Sequence, residues 1–251
     1  MGRITANGIE FEYDEIGPKD GEAIVLVMGF GAQMIRWTDA FRHGLADEGY
    51  RVIRFDNRDT GLSQQLDDKG LPDMAAITQK TMAGEDVSGL VAYTLDDMAA
   101  DVAGIIYALD AKPAHVVGAS MGGMIVQLVG LNHPEHVRSI TPVMTTSGDP
   151  ELPAATPEAM AALMTPPNSM ARDDVVAQGT KAQQTIGSDE TVRDSEADIS
   201  AGVAASFDRA YRPMGTMRQY AAIMTQPRWH ERLVNISAPT MVVHGKSDPL
   251  I

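Results

Sequence analysis

Apolar and polar residues alternate from Ile4 to Ile16, with Ile9, Phe11 and Tyr13 on one side and Asn7-Gly8 supplying a tight turn between two short strands. The alternation then stops. Ala23-Ile24-Val25-Leu26-Val27 is apolar throughout, the pattern of a strand covered on both faces. From Met34 to Glu48 the spacing becomes helical, with Ile35, Phe41 and Leu45 on one side. Tyr50 to Phe55 predicts the next strand, which runs into the turn-rich Asp56-Asn57-Arg58-Asp59-Thr60-Gly61. Residues 64–93 are polar and irregular, with one short helix from Met74 to Lys80. Thr94 and Asp97 have the spacing of a capping box opening a helix that reaches Leu109. Ala114-His115-Val116-Val117 predicts a buried strand. Met121 to Leu131 predicts a helix with Met124, Ile125, Leu128 and Leu131 in register, and Val137 to Met144 a further strand.

Strands alternating with helices at this rhythm imply a mostly parallel sheet with helices on both faces, an α/β fold. The rhythm breaks at Thr146. From there to Pro227 the pattern is helical only, in the stretches 157–164, 173–185, 196–211 and 215–224, and strand character returns at Thr240 to His244. The expected organisation is a discontinuous α/β core, residues 1–145 and 228–251, interrupted by a helical cap, 146–227. The cap is expected at the C-terminal edge of the sheet, where open α/β sheets bind ligands.

Gly118-Ala119-Ser120-Met121-Gly122-Gly123 lies between the predicted strand at 114 and the predicted helix at 121. A G-x-S-x-G motif in that context is a nucleophile elbow: a turn so sharp that only small residues fit at the glycine positions, with the serine hydroxyl held out at the helix N-terminus. Acyl transfer also needs a base, a group that orients the base, and donors for the oxyanion. Met28-Gly29-Phe30-Gly31 directly follows the apolar strand, where a glycine-rich loop supplies one backbone N–H; the other belongs to the residue after the nucleophile. The backbone N–H groups of Phe30 and Met121 are therefore the oxyanion-hole candidates. Asp248, in His244-Gly245-Lys246-Ser247-Asp248-Pro249, falls where the acid of a triad emerges, and Asp149 is the reserve acid. Trp37, Met34, Met124 and Met144 are candidate walls of an adaptable apolar pocket, although most methionines serve ordinary packing.

Composition narrows the partners. The chain has 251 residues and a formal net charge of −14, which argues against nucleic acid and anionic membranes, both of which select clustered Lys and Arg. Without cysteine there is no disulfide, thiolate metal site or cysteine nucleophile. No metal-binding motif such as H-E-x-x-H occurs, so metal catalysis is not expected. Met1 to Ala6 carries no apolar signal core, and no segment has the apolar length of a membrane span; a soluble, cytoplasmic protein is expected.

With these residues in view, the chain resembles the α/β-hydrolase superfamily over essentially its whole length. The segments that carry the resemblance are Met28–Gly31, Asp56-Asn57-Arg58-Asp59-Thr60-Gly61-Leu62-Ser63, Gly118–Gly123, Asn132-His133-Pro134-Glu135 and His244–Pro249. Within the superfamily it is similar to the small bacterial carboxylesterases and methylesterases grouped with aclacinomycin methylesterase. The resemblance implies a serine hydrolase without metal or organic cofactor.

One departure stands out. The family's catalytic histidine lies after one more strand beyond the acid, whereas this chain ends three residues past Asp248. His133 is at a helix end suited to an imidazolium, His115 and His136 are at the far end of the sheet, and His43 and His230 are in surface stretches. His244 alone is at the correct edge, next to Asp248. The expectation is a C-terminally truncated fragment of a complete esterase, with low activity. The expected reaction is hydrolysis of carboxylic esters of small apolar substrates through a Ser120 acyl-enzyme. The alternatives are C–C bond hydrolysis or cofactor-free perhydrolysis on the same triad, or ligand binding without catalysis.

Overall fold

The computed structural model describes residues 1–251. It contains six strands and eight α-helices, which fall into two compact units: Met1–Asp149 with Arg212–Val242, and Pro150–Tyr211 with Val243–Ile251. The first unit holds the sheet. Its strands are β1 (Gly2–Ala6), β2 (Ile9–Ile16), β3 (Ala23–Val27), β4 (Arg51–Phe55), β5 (Ala114–Ala119) and β6 (Val137–Val143), in the order β1-β2-β4-β3-β5-β6. The β1–β2 hairpin joins antiparallel, turning at Asn7 and Gly8, which both have positive φ; β4, β3, β5 and β6 run parallel.

All five residues of β3 are buried, as the uninterrupted apolar run requires. Successive side chains point to opposite faces of the sheet, so β3 feeds two cores. Val25 and Val27 join the main core with Ile53, Phe55, Val116 and the inner faces of α3 (Leu95–Ala108) and α4 (Met121–Asn132). Ile24 and Leu26 join a smaller one with Val52, covered by Trp37, Leu45 and Ala46 from the region of α1 (Asp39–Asp47). The capping box at Thr94 and Asp97 is formed, each side chain bonded to the other's backbone N–H, and starts α3.

The remaining helix before α3 is α2 (Met74–Ala83). In the second unit α5 (Pro157–Met164), α6 (Arg172–Ile186) and α7 (Glu196–Arg209) pack on one another. Gly179 of α6 allows the close crossing with α7, because a Cβ there would lie 2.8 Å from the Val203 side chain. The bidentate pair of Arg172 with Asp208, at 2.7 and 2.8 Å, closes the same helix pair at the surface.

Two features depart from the sequence expectation. α8 (Pro213–Thr225) groups with the first unit, not with the other three helices of the predicted insertion, because its buried side is polar and bonded there: Arg218 and Gln219 are both buried. The apolar run 240–244 is not a regular strand. Thr240 makes a parallel bridge to Ile140, and the Met241 N–H donates to the Ile140 carbonyl, but Met241 and Val242 are exposed. Apolar composition alone does not extend a ladder whose hydrogen bonds end after one bridge.

Candidate active site

Ser120 stands between β5 and α4, at φ +54° and ψ −121°. Few residues other than glycine tolerate that backbone, so the position is strained and its conformation is held by neighbours. The Ser120 N–H donates to the Val143 carbonyl at 3.0 Å. Its carbonyl accepts from the Gly123 N–H and from the Thr145 hydroxyl, each at 2.7 Å. The turn leaves no room for side chains beside it. A Cβ on Gly118 would lie 2.1 Å from the Gly122 carbonyl oxygen, and one on Gly122 would lie 2.2 Å from the Val27 carbonyl oxygen. The strand–serine–helix reading of the motif and the steric reason for its two glycines are both present. The side chain of Ser120 makes no capping bond to α4, and the residue is half-buried.

The loop after β3 passes directly beside it. A Cβ on Gly29 would fall 3.1 Å from Ser120 Cβ and 3.6 Å from Ser120 Oγ. Phe30 follows Gly29 and is half-buried against the main core, its ring 6.1 Å from that of Tyr220 on α8. Met121 is fully buried and follows Ser120 at the start of α4. The loop is fixed from below by the Asp56–Ser63 turn. Asn57 Nδ2 donates to the Met28 carbonyl at 2.8 Å, and Asp56 accepts from the Met34 and Leu62 N–H groups at 2.8 and 2.9 Å.

Beneath that turn is a buried polar network. Arg58 pairs with both oxygens of Asp101 at 2.6 Å and lies 5.0 Å over the Tyr93 ring. Arg218 pairs with both oxygens of Asp59 at 2.8 Å. Burial first, and then the Asp59 charge, push the Tyr93 hydroxyl far above the usual phenol range. Gln219 links the network to the loop: its Oε1 accepts from the Gly31 N–H at 2.9 Å, while Nε2 donates to the Arg58 carbonyl at 3.0 Å and to Thr60 Oγ1 at 2.7 Å.

The predicted pocket walls separate. Met144 is exposed and has φ +41°, and Met124 is half-buried against the main core. Met34 is fully buried and presents no surface. Trp37 belongs to the smaller core on the other face of the sheet from α4 and stacks on Phe41, with ring centroids 5.5 Å apart. A cavity of about 490 Å³ in the second unit is polar, lined by Glu158, Lys181, Gln184 and Arg193 among others, and includes none of these four residues.

Asp248 belongs to the second unit. Its Oδ1 accepts from the N–H groups of Leu250 and Ile251, at 2.9 and 3.0 Å, and Oδ2 is 3.6 Å from His244 Nε2, which contacts the Ile251 carbonyl at 3.0 Å. In the first unit, His115 bonds Ser139 at 2.7 Å and faces Glu22, and His136 faces Glu135. His133, at the end of α4, is held below the usual histidine range by burial, so the site favours the neutral ring over the imidazolium expected at a helix end. Gln219, Thr216 and Tyr220 were not among the predicted site residues. The signal was the helical spacing of Gly215, Arg218, Gln219 and Ala222, which puts two polar residues on a buried stripe.

The sequence pattern of the alpha/beta hydrolase fold family matches residues 22–251. The chain belongs to that family. Among curated members it is 30% identical over 138 residues to rhodomycin D methylesterase DauP from Streptomyces sp. (strain C5), a match covering 55% of this chain and 40% of that enzyme. The chain thus spans well under half the length of the methylesterases it matches. It is 27% identical to a non-heme chloroperoxidase from Burkholderia pyrrocinia, over 98% of this chain and 82% of that protein. Among solved structures, the enol-lactonase from Burkholderia xenovorans LB400 superposes with a TM-score of 0.69 at 19% identity, over 98% of this chain and 81% of that one, and shares the fold. No helix of this alpha/beta hydrolase is long and apolar enough to cross a membrane.

Proposed function

We propose that this chain is a serine hydrolase acting on carboxylic esters of small apolar substrates. The observation that carries the reading is the strained, half-buried Ser120 at the head of α4 with Gly29 of the post-β3 loop against its side chain. The hydroxyl oxygen attacks the ester carbonyl as a general base takes its proton. The Phe30 and Met121 N–H groups receive the charge that develops on the carbonyl oxygen. Collapse expels the alcohol, which takes the proton, and leaves an acyl group on Ser120 Oγ that water then removes. The similarity to methylesterases supports an ester as substrate.

The test is stoichiometric labelling of Ser120 by a fluorophosphonate in the full-length protein, with turnover of short-chain p-nitrophenyl esters. Ser120→Ala is expected to lose both. A second reading, cofactor-free perhydrolysis by the same nucleophile, is supported by the similarity to a non-heme chloroperoxidase along nearly the whole chain. In that reaction hydrogen peroxide replaces water in opening the acyl-enzyme and a peracid is released. Peracid formation from acetate and peroxide separates the two readings.

A further inference from the structure

Gln219 is a fully buried, uncharged side chain of the first unit that reaches the loop beside Ser120. It has no exposed surface, and both ends of its carboxamide are bonded: the oxygen accepts from Gly31 N–H, and the nitrogen donates to the Arg58 carbonyl and the Thr60 hydroxyl. A flipped amide would set its NH2 against the Gly31 N–H and its oxygen against the Arg58 carbonyl, so only one orientation satisfies all partners. Gly31 has φ +62° and directly follows Phe30. Two other residues of α8 touch the same loop: Thr216, whose Cγ2 is 3.3 Å from where a Gly31 Cβ would be, and Tyr220, against Phe30. The neighbouring Arg218 ties the helix to Asp59.

We propose that Gln219 is a positioning residue for the oxyanion loop. By holding the Gly31 N–H it fixes the Phe30–Gly31 peptide, which through the Phe30 backbone limits the swing of the adjacent Gly29–Phe30 peptide that carries the Phe30 N–H, and it couples that loop to the Arg58–Thr60 turn. The proposal rests on the serine-hydrolase reading above. It follows from the physics of preorganised donors, in which a displacement of about 1 Å costs roughly 100-fold in rate while leaving ground-state binding largely intact.

The experiment compares Gln219→Met, which removes the acceptor, with Gln219→Glu, which keeps it, in the full-length protein. Two quantities are read: the fluorophosphonate labelling rate of Ser120 as a function of probe concentration, and hydrogen exchange of the peptide containing Gly31. Q219M is expected to slow maximal labelling by about 10- to 100-fold, with half-saturation changed less than about threefold. Gly31 exchange is expected to rise about tenfold or more. Q219E keeps the acceptor for Gly31 and, as the protonated acid that this buried position favours, donates one bond toward the Arg58 carbonyl or Thr60, so it is expected to retain the protection of Gly31 and to recover most of the rate. Should Q219M not fold, Thr60→Val removes one of the two bonds that orient the carboxamide and is expected to give smaller changes of the same sign. Labelled wild-type protein with rate and exchange unaltered by these substitutions overturns the proposal, as does an equal rate loss in Q219M and Q219E. A wild-type protein that fluorophosphonate does not label overturns the serine-hydrolase reading, and the catalytic role of Gln219 with it.

Discussion

Both oxygens of Asp59 pair with the guanidinium of Arg218 at 2.8 Å, and the two side chains are 0% and 1% exposed. One partner comes from the turn after β4, the other from α8, 159 residues away in sequence. Asp59 also accepts from the Leu66 N–H at 2.8 Å, and Arg218 donates to the Gly70 carbonyl and Asp67. Taking such a pair out of water is costly, but removing one partner alone is worse, because the other charge is left buried.

Arg218→Met is accordingly expected to destabilise the protein by about 3–5 kcal/mol. Adding Asp59→Asn should recover much of that loss, since asparagine keeps an acceptor for Leu66 and tolerates the φ of +65° found at this position. Urea unfolding of the single and double variants measures both. A double variant no more stable than R218M would show that the pair is not what holds α8 to the turn.

The strained backbone of Ser120 predicts opposite effects on stability and reactivity. At φ +54° an alanine suffers the same strain as serine, whereas glycine does not. Ser120→Gly is expected to be more stable than Ser120→Ala by about 1 kcal/mol, the strain relieved exceeding the extra unfolded-state entropy of glycine. Neither variant should react with a fluorophosphonate. Denaturant midpoints decide the first expectation and intact-protein mass the second.

His133 makes stability depend on pH in one direction. Burial lowers its pKa in the folded protein, so between the folded and unfolded values the unfolded chain binds more protons. Stability from this group is therefore complete above about pH 6.5, the unfolded value, and falls as pH drops from there toward the folded pKa. His133→Gln is expected to flatten this part of the stability–pH curve, read as urea midpoints between pH 5 and 8. An unchanged slope would assign the dependence to other groups.

The backbone geometry around Ser120 was legible because it is built from residues close together in sequence. The elbow needs strand, glycine, serine and helix within a dozen residues, and the loop after β3 needs only an apolar strand followed by Gly29 and Gly31. The capping box at Thr94 was equally readable, being a three-residue device. What the sequence obscured depends on partners distant along the chain. α8 has the composition of the insertion helices, and only the carboxylate of Asp59 and the loop at Gly31 reveal why Arg218 and Gln219 are buried. Trp37 follows the post-β3 loop closely in sequence, yet it packs against the face of β3 that carries Ile24 and Leu26. The run at 240–244 is apolar enough for a strand, but whether it becomes one is decided by hydrogen-bond partners, which composition does not report.

Gly29 gives the most direct test of the role proposed for the loop beside Ser120. Its backbone does not require glycine, since its φ is not positive, so any effect of substitution comes from space alone. An added methyl would lie 2.9 Å from the Ala119 carbonyl oxygen and 3.1 Å from Ser120 Cβ. Neither neighbour yields easily: Ala119 is in the β5 ladder, and Ser120 is pinned through its own N–H and carbonyl. The loop must therefore move away, carrying the Phe30 N–H with it. Gly29→Ala is expected to lower kcat for a p-nitrophenyl ester by about 100-fold, with KM little changed and the protein still folded. Steady-state kinetics alongside circular dichroism checks this. A G29A protein with the kcat of the wild type would show that the loop's position beside Ser120 does not govern acyl transfer.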